Sequence, residues 1–213
     1  MNNNSMETIA AFILAGGASR RMGTDKSRLL LDGKSFVEHI AAALAKISGE
    51  VTGGITGEIT VVGKPATGST NLRYVTDVYP NWGALGGVHT ALASSDAAWC
   101  LVVACDFPFV TAELFDRLAS LRKGFEAVAP IQSDGIAQPL CALYQTERCL
   151  ARAGELINSG ERKPVALLQS VRTRWVPFAE LDDLPGADRF FDNINTAADY
   201  DRIVAKGTVK RMA

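Results

Sequence analysis

The stretch IAAFILAGGASRRMGTDK, residues 9 to 26, constrains the fold more than any other part of the chain. Ile9 to Leu14 is apolar, with no charge and no regular polar alternation. That pattern suits a strand covered on both faces in a parallel α/β sheet rather than one half open to water. The run stops at Gly16-Gly17, where positive φ is permitted and backbone N–H groups can come close to a ligand. Arg20, Arg21 and Lys26 follow directly, with Gly23 among them, and such cations can offset the charge of phosphates. Two glycines after a first strand can also be a plain turn, and an Arg pair can simply face solvent. The basic residues and Gly23 packed beside the glycine pair favour an anion site.

At 213 residues the chain is sized for one domain that buries roughly 70% of its unfolded surface. Its 22 basic and 23 acidic residues nearly cancel. No global field therefore points to nucleic acid or an anionic membrane, and any phosphate binding has to be local. No segment approaches the ~18 uninterrupted apolar residues of a spanning helix. Residues 1–8, MNNNSMET, are polar and lack the regions of a signal peptide, so the expectation is a cytoplasmic protein with a flexible N-terminus. A single domain is expected over 9–205, followed by a tail over 206–213. Cys100, Cys105, Cys141 and Cys149 lie in or beside apolar stretches without a CxxC pair, and read as reduced, buried thiols rather than a disulfide framework or a zinc site.

Along the chain, Asp32-Gly33 signals a tight turn, and Ser35 with Glu38 has capping-box spacing for a helix. Phe36, Ile40, Leu44 and Ile47 form the apolar face of that helix. His39 reads as a surface or packing histidine. Residues 48–58 read as a glycine-rich loop. Strands are expected at Ile59–Val62, ending at Gly63, and at Leu72–Val75, leading to Asp77. Asp77 is open to two readings: a functional carboxylate past a strand end, or a loop aspartate capping local backbone. Pro80–Gly87 reads as a flexible turn before a helix over Val88–Ala93, in which His89 could face a pocket or the helix surface. Trp82 could pack a base or cover its loop. Trp99–Ala104 is a further strand. It ends in Asp106, which either takes part in metal or phosphate chemistry or caps backbone, because an acidic group at a buried strand end is costly unless it binds something. Thr111 caps a helix with Leu114, Phe115, Leu118 and Leu121 on its apolar face. Strands at 127–131 and 138–144, a helix at 149–157, a basic GERK loop at 160–163, a short helix at 164–168, an extended piece at 171–178, a loop at 184–190 and a terminal helix from Thr196 with Asp199 at capping-box spacing complete the pattern. The alternation of strands and helices supports one three-layer αβα domain.

The opening stretch has neither G-x-G-x-x-G spacing nor a G-K-[ST] ending, so it is neither a dinucleotide fingerprint nor a Walker loop. It resembles the nucleotidyltransferases that begin LAGG-x-S-x-R-M-G-x-x-K, here Leu14-Ala15-Gly16-Gly17, Ser19, Arg21-Met22-Gly23 and Lys26. Within that superfamily the chain is similar to the molybdenum cofactor guanylyltransferases. The shared motifs run from Ile9 to about Tyr200: GTDKS at 23–27, Asp77, GALGG at 83–87, CDFPFV at 105–110, QPLCALY at 138–144, GERK at 160–163 and DNINT at 192–196.

The resemblance implies a Rossmann-like nucleotidyltransferase fold with a mostly parallel central sheet, and transfer of GMP from GTP to the terminal phosphate of Mo-molybdopterin with release of pyrophosphate. It implies Mg²⁺ as cofactor and GTP and Mo-molybdopterin as substrates. Transient contact with molybdenum-insertion or recipient enzymes is also implied, with no nucleic-acid or membrane partner. Leu14, Ala15, Gly16 and Gly17 would hold the nucleotide, Lys26 and Arg21 its phosphates, Asp77 the nucleotide and Asp106 the Mg²⁺. Asp25 would orient Lys26 or a metal-bound water, and Arg20 is a lesser candidate. Arg162, Lys163, Asn193 and Asn195 are candidates for the pterin side. Where the family has an Asn after the second strand, this chain has Gly63, so the backbone would have to replace a side-chain contact. Ala84 stands where the family has Pro, which relaxes the loop ahead of the helix. Ala197 replaces the Pro that commonly follows Thr196, a small change because Pro at a helix start is favoured but not required. Alternatives are a cytidylyltransferase on the same pterin, a sugar- or polyol-phosphate nucleotidyltransferase, and a non-catalytic nucleotide-binding carrier of the cofactor.

Overall fold

Ile9–Leu14 forms strand β1, and its neighbours on both edges and both faces account for its lack of polar alternation. The computed structural model describes residues 7–15, 30–31, 33–47, 58–64 and 72–194. After β1 come β2 (Leu30–Leu31), β3 (Lys34–Ser35), α1 (Phe36–Leu44), β4 (Thr60–Val62), β5 (Arg73–Val75), α2 (Ala84–Ala93), β6 (Trp99–Ala104) and α3 (Ala112–Ser120). They are followed by β7 (Ala127–Pro130), β8 (Cys141–Gln145), α4 (Thr146–Asn158), α5 (Pro164–Ser170) and β9 (Thr173–Val176). The main sheet has seven strands in the order β5-β4-β1-β6-β8-β7-β9. Only β8 runs against the others, pairing antiparallel with both β6 and β7.

Alternate residues of each strand enter opposite layers, as a pleated sheet requires. Ile9, Ala11 and Ile13 join Leu101, Val103, Leu143 and the buried faces of α1 and α3. Phe12 and Leu14 join Val62, Cys100, Val102, Tyr144 and the faces of α2, α4 and α5. Each fully buried Ile, Val or Leu side chain contributes about 1.5–3 kcal/mol to such layers. The sequence reading of a three-layer, Rossmann-like αβα fold around a mostly parallel sheet is therefore met.

Local signals explain the element starts. Ser35 and Glu38 make the expected capping box: the Ser35 N–H donates to Glu38 Oε2 at 2.7 Å and the Glu38 N–H to Ser35 Oγ at 3.3 Å. Thr111 Oγ1 accepts from the Leu114 N–H at 3.4 Å, so it caps α3 as expected. His39, read as a packing or surface residue, has Nε2 2.6 Å from the Leu31 carbonyl and ties α1 to the β2–β3 hairpin.

Several boundaries differ. The second helix begins at Ala84 rather than Val88, so the GALGG segment enters the helix and only Pro80–Gly83 remains turn-like. The reason is tertiary. A Cβ on Gly86 would stand 3.0 Å from Trp82 Cβ and 3.1 Å from the Tyr79 carbonyl oxygen, and one on Gly87 would stand 3.3 Å from Leu14 Cδ1. The glycines let α2 lie close to the sheet and to the incoming loop. The strand expected at 138–144 occupies Cys141–Gln145, because Gln138 to Leu140 turn into it and the Cys141 N–H donates to the Gln138 carbonyl at 3.1 Å. The helix expected over 149–157 starts at Thr146, capped by the Gln145 side chain, which accepts from the Arg148 N–H at 2.7 Å. The extended piece expected over 171–178 is strand only at Thr173–Val176 and turns into a 3₁₀ segment at Phe178–Glu180. The 184–190 loop contains a 3₁₀ turn at Ala187–Arg189. The terminal helix expected from Thr196 lies outside the described residues.

At the N-terminal side, the Thr8 carbonyl accepts from the Trp99 N–H at 3.0 Å, and Glu7 Oε2 accepts from Trp99 Nε1 at 2.7 Å. All four cysteines are free; Cys100, Cys141 and Cys149 are buried, while Cys105 is only half-buried at the end of β6. Burial pushes the Cys141 and Cys149 thiols up to about 12.

Candidate active site

From β1 the chain passes through α1 to β4 on one edge, whereas β6, reached later through α2 on the other face, pairs with the opposite edge of β1. Open α/β sheets bind ligands at such a reversal, beyond the carboxyl ends of the strands. Several of the described candidate residues lie at that end of the sheet. Leu14 and Ala15 end β1, Gly63 ends β4, Asp77 follows β5 and Asp106 follows β6. Because β8 is antiparallel, its leading residues Gln138 to Leu140 reach the same edge, where the Leu140 carbonyl accepts from the Ala104 N–H at 2.7 Å.

The backbone at the β1 end is fixed on both sides. The Leu14 carbonyl accepts from the Cys105 N–H at 3.0 Å and the Ala15 N–H donates to the Val62 carbonyl at 3.0 Å. The Leu14–Ala15 backbone is thus pinned to β4 and to the end of β6. Gly16, Gly17, Arg20, Arg21, Gly23, Asp25 and Lys26 lie outside the described residues.

Gly63 has φ 144°, a conformation that side-chain-bearing residues rarely adopt. Its N–H donates to the Val75 carbonyl at 2.9 Å. The Gly63 N–H is thus already engaged within the sheet.

Asp77 makes the local cap that was one of its two sequence readings, and makes it through one oxygen. Oδ1 accepts from the Tyr79 N–H at 3.0 Å and from Thr90 Oγ1 at 2.9 Å, a local cap. Oδ2 accepts nothing among the described residues. Thr90, buried within α2, also receives the Val78 N–H at 3.0 Å and lies 3.0 Å from the Gly86 carbonyl. With Ala84 at the helix start, Asp77 is held by Tyr79 and Thr90. Sequence reasoning missed Thr90. The available signal was a lone hydroxyl inside the largely apolar ALGGVHTALA helix, where only His89 is also polar.

Asp106 sits half-buried one residue past Cys105, whose Sγ lies 3.8 Å from Asp106 Oδ1. Its carbonyl accepts from the Ile194 N–H at 3.3 Å, which brings the exposed Asn193 to the same edge. That C-terminal segment is seated by aromatic packing: Phe191 stands edge-on to Phe107 at 6.2 Å, and the Arg189 guanidinium lies 3.8 Å above the Phe109 ring. Asn195 lies outside the described residues.

The GERK loop meets the edge through Trp82. The indole Nε1 donates to the Glu161 carbonyl at 2.9 Å, and the Arg162 guanidinium lies 4.7 Å above its ring. Glu161 Oε1 accepts from the N–H groups of Arg162 and Lys163, both at 2.8 Å, and these bonds hold its carboxyl below the usual range. Trp82 therefore covers its loop and positions the basic pair Arg162 and Lys163, both exposed.

Among the described residues no group of three or more His, Cys, Asp or Glu side chains could hold a metal. The candidate donor past β6 is one carboxylate, that of Asp106. That matches the way Mg²⁺ binds with nucleotides, through one or two carboxylates plus substrate phosphates, and does not match an all-protein cage. No helix among the described residues is long and apolar enough to cross a membrane.

A sheet of this order, with a reversal at β1, defines an open α/β fold of the ligand-binding kind, and the family match sets its class as a nucleotidyltransferase. Residues 11–174 match the family model described as the MobA-like NTP transferase domain, and the chain belongs to that family. It is 33% identical over 187 residues to a protein of Pelotomaculum thermopropionicum named probable molybdenum cofactor guanylyltransferase, covering 88% of this chain and 87% of that one. A protein of the same name from Clostridium perfringens is 31% identical over 202 residues, covering 92% and 96%. Among solved structures, molybdopterin-guanine dinucleotide biosynthesis protein A from Archaeoglobus fulgidus shares the fold with a TM-score of 0.73 at 24% identity, covering 92% of this chain and 99% of that one. The 2-C-methyl-D-erythritol 4-phosphate cytidylyltransferase of Thermus thermophilus shares it at a TM-score of 0.65 and 15% identity, covering 96% and 100%.

Proposed function

We propose that this nucleotidyltransferase moves GMP from GTP to the terminal phosphate of Mo-molybdopterin. The reading is supported by Asp77 and Asp106 both lying past the carboxyl ends of parallel strands of one sheet, with Asn193 tied beside Asp106 and the Arg162–Lys163 loop tied to Trp82, in a chain 33% identical to a probable molybdenum cofactor guanylyltransferase. An oxygen of the pterin phosphate attacks the α-phosphorus of GTP. The new P–O bond forms as the bond to the β-phosphate oxygen breaks, and pyrophosphate leaves with that electron pair. The attacking phosphate is already anionic near neutral pH, so little side-chain proton transfer is needed.

The work left to the protein is to hold two anions together and to stabilise the transferring group. Lys26 and Arg21 offset triphosphate charge, and the Gly16-Gly17 backbone cradles it, beginning where Leu14 and Ala15 leave the sheet. Gly63 and Asp77 line the nucleotide side. Arg162, Lys163, Asn193 and Asn195 receive the pterin phosphate. Asp106 is the residue that would hold Mg²⁺, which when bound neutralises charge on phosphate oxygens.

Asp106→Ala tests the reading. It should keep its circular dichroism spectrum and thermal midpoint while Mg²⁺-dependent pyrophosphate release falls by about 100-fold or more. Turnover close to that of the unaltered protein would overturn the assignment of Asp106.

A further inference from the structure

We infer that Thr90 is the positioning residue that presents Asp77 to the nucleotide through a single oxygen, Oδ2; this rests on the reading above in which Asp77 contacts GTP. Thr90 lies in the middle of α2 with no exposed surface, and a buried hydroxyl is costly unless its hydrogen bonds are made. It has one proton and two acceptors within reach, Asp77 Oδ1 at 2.9 Å and the Gly86 carbonyl at 3.0 Å. A carboxylate is the stronger acceptor, so the proton goes to Asp77. The Val78 N–H at 3.0 Å fills the hydroxyl's own acceptor side and orients it.

The Tyr79 N–H completes the arrangement on the same Oδ1 at 3.0 Å. An oxygen with two donors has both lone pairs engaged, which leaves Oδ2 as the acceptor for a ligand. Asp77 is therefore fixed in rotation by a helix and a turn at once. It meets the nucleotide with one carboxylate oxygen rather than gripping it with both. Without the Thr90 hydroxyl, the carboxylate turns more freely and the Val78 N–H loses its acceptor.

The test is a set of single and double substitutions read by titration calorimetry with Mg-GTP and by steady-state kinetics. Asp77→Asn should weaken GTP binding, because an amide NH₂ replaces an acceptor. Thr90→Val should weaken it about tenfold, raising the KM for GTP while kcat stays within about twofold. Thr90→Ser, which keeps the hydroxyl, should bind like the unaltered protein, and Thr90→Val should add nothing to Asp77→Asn. Thr90→Ala serves in place of Thr90→Val should the valine variant not fold.

The proposal is overturned if removing the hydroxyl leaves GTP binding unchanged, if Thr90→Ser weakens binding as much as Thr90→Val, or if the effects of Thr90 and Asp77 simply add. If Asp77→Asn itself leaves GTP binding unchanged, the reading that places Asp77 on the nucleotide falls, and the role of Thr90 with it. Weakened binding in Asp77→Asn with full binding in Thr90→Val rejects the Thr90 role alone.

Discussion

His89 stands one position before Thr90, edge-on to Tyr79 with ring centroids 4.9 Å apart. Its Nδ1 is buried without a hydrogen-bond partner among the described residues. Burial draws its pKa below the ordinary 6.5, and the nearby Asp77 carboxylate opposes that only in part. The unfolded chain therefore takes up a proton at this site at higher pH than the folded protein does. Stability contributed here is present above pH 6.5 and is lost as the pH falls from there through the folded value. His89→Gln should accordingly lose less stability than the unaltered protein when urea unfolding is compared above and below that pH. Equal losses would contradict the account of His89. At this scale the sequence was informative about identity but not about partners. It placed Asp77 and Asp106 past strand ends, yet which oxygen of Asp77 is engaged depends on Thr90, thirteen positions on and brought near only by folding.

Helix α2 holds the Asp77 side of the candidate site through Thr90, and its glycines govern how closely it can lie. Replacing Gly with Ala inside a helix ordinarily stabilises by about 0.5–1 kcal/mol. At Gly86 the added methyl group would meet Trp82 Cβ at 3.0 Å and the Tyr79 backbone oxygen at 3.1 Å, and a backbone atom cannot swing aside. Overpacking of this kind costs about 1–3 kcal/mol, so the sign reverses. Gly86→Ala should lower stability to urea, whereas a gain would show that the turn can give way. The same contacts explain why PNWGALGG reads as a turn from sequence alone. Glycine pairs are the common signal for turns and also the requirement for close helix packing, and only the neighbours in space separate the two. Elements with purely local signals were legible: the Ser35–Glu38 box and the Thr111 cap both appear as their spacing predicts. The start of β8 was not, because Gln138-Pro139-Leu140 is apolar enough to resemble strand while its hydrogen bonds turn the chain.

For the whole molecule, the apolar, unpatterned β1 and the strand–helix alternation made the layered α/β fold legible. Strand order was not legible, since nothing local states that β6 returns to the far side of β1 or that β8 runs against its neighbours. Those two facts build the site. The first creates the reversal at which β1 and β6 open, and the second carries the 138–140 segment to the same edge as Asp106. The chemistry carried out there depends on which base and which acceptor the edge admits. Relatives of this fold include a cytidylyltransferase as well as proteins of molybdenum cofactor synthesis. Incubation of the protein with Mo-molybdopterin and, separately, the Mg²⁺ complexes of GTP, CTP, ATP and UTP, followed by mass analysis, tests the central claim most directly. The expected result is a product heavier than the pterin by one GMP unit, less the water lost in forming the bond, with pyrophosphate released only in the GTP sample. A CMP adduct with none from GTP, or GTP binding with no adduct at all, would contradict it.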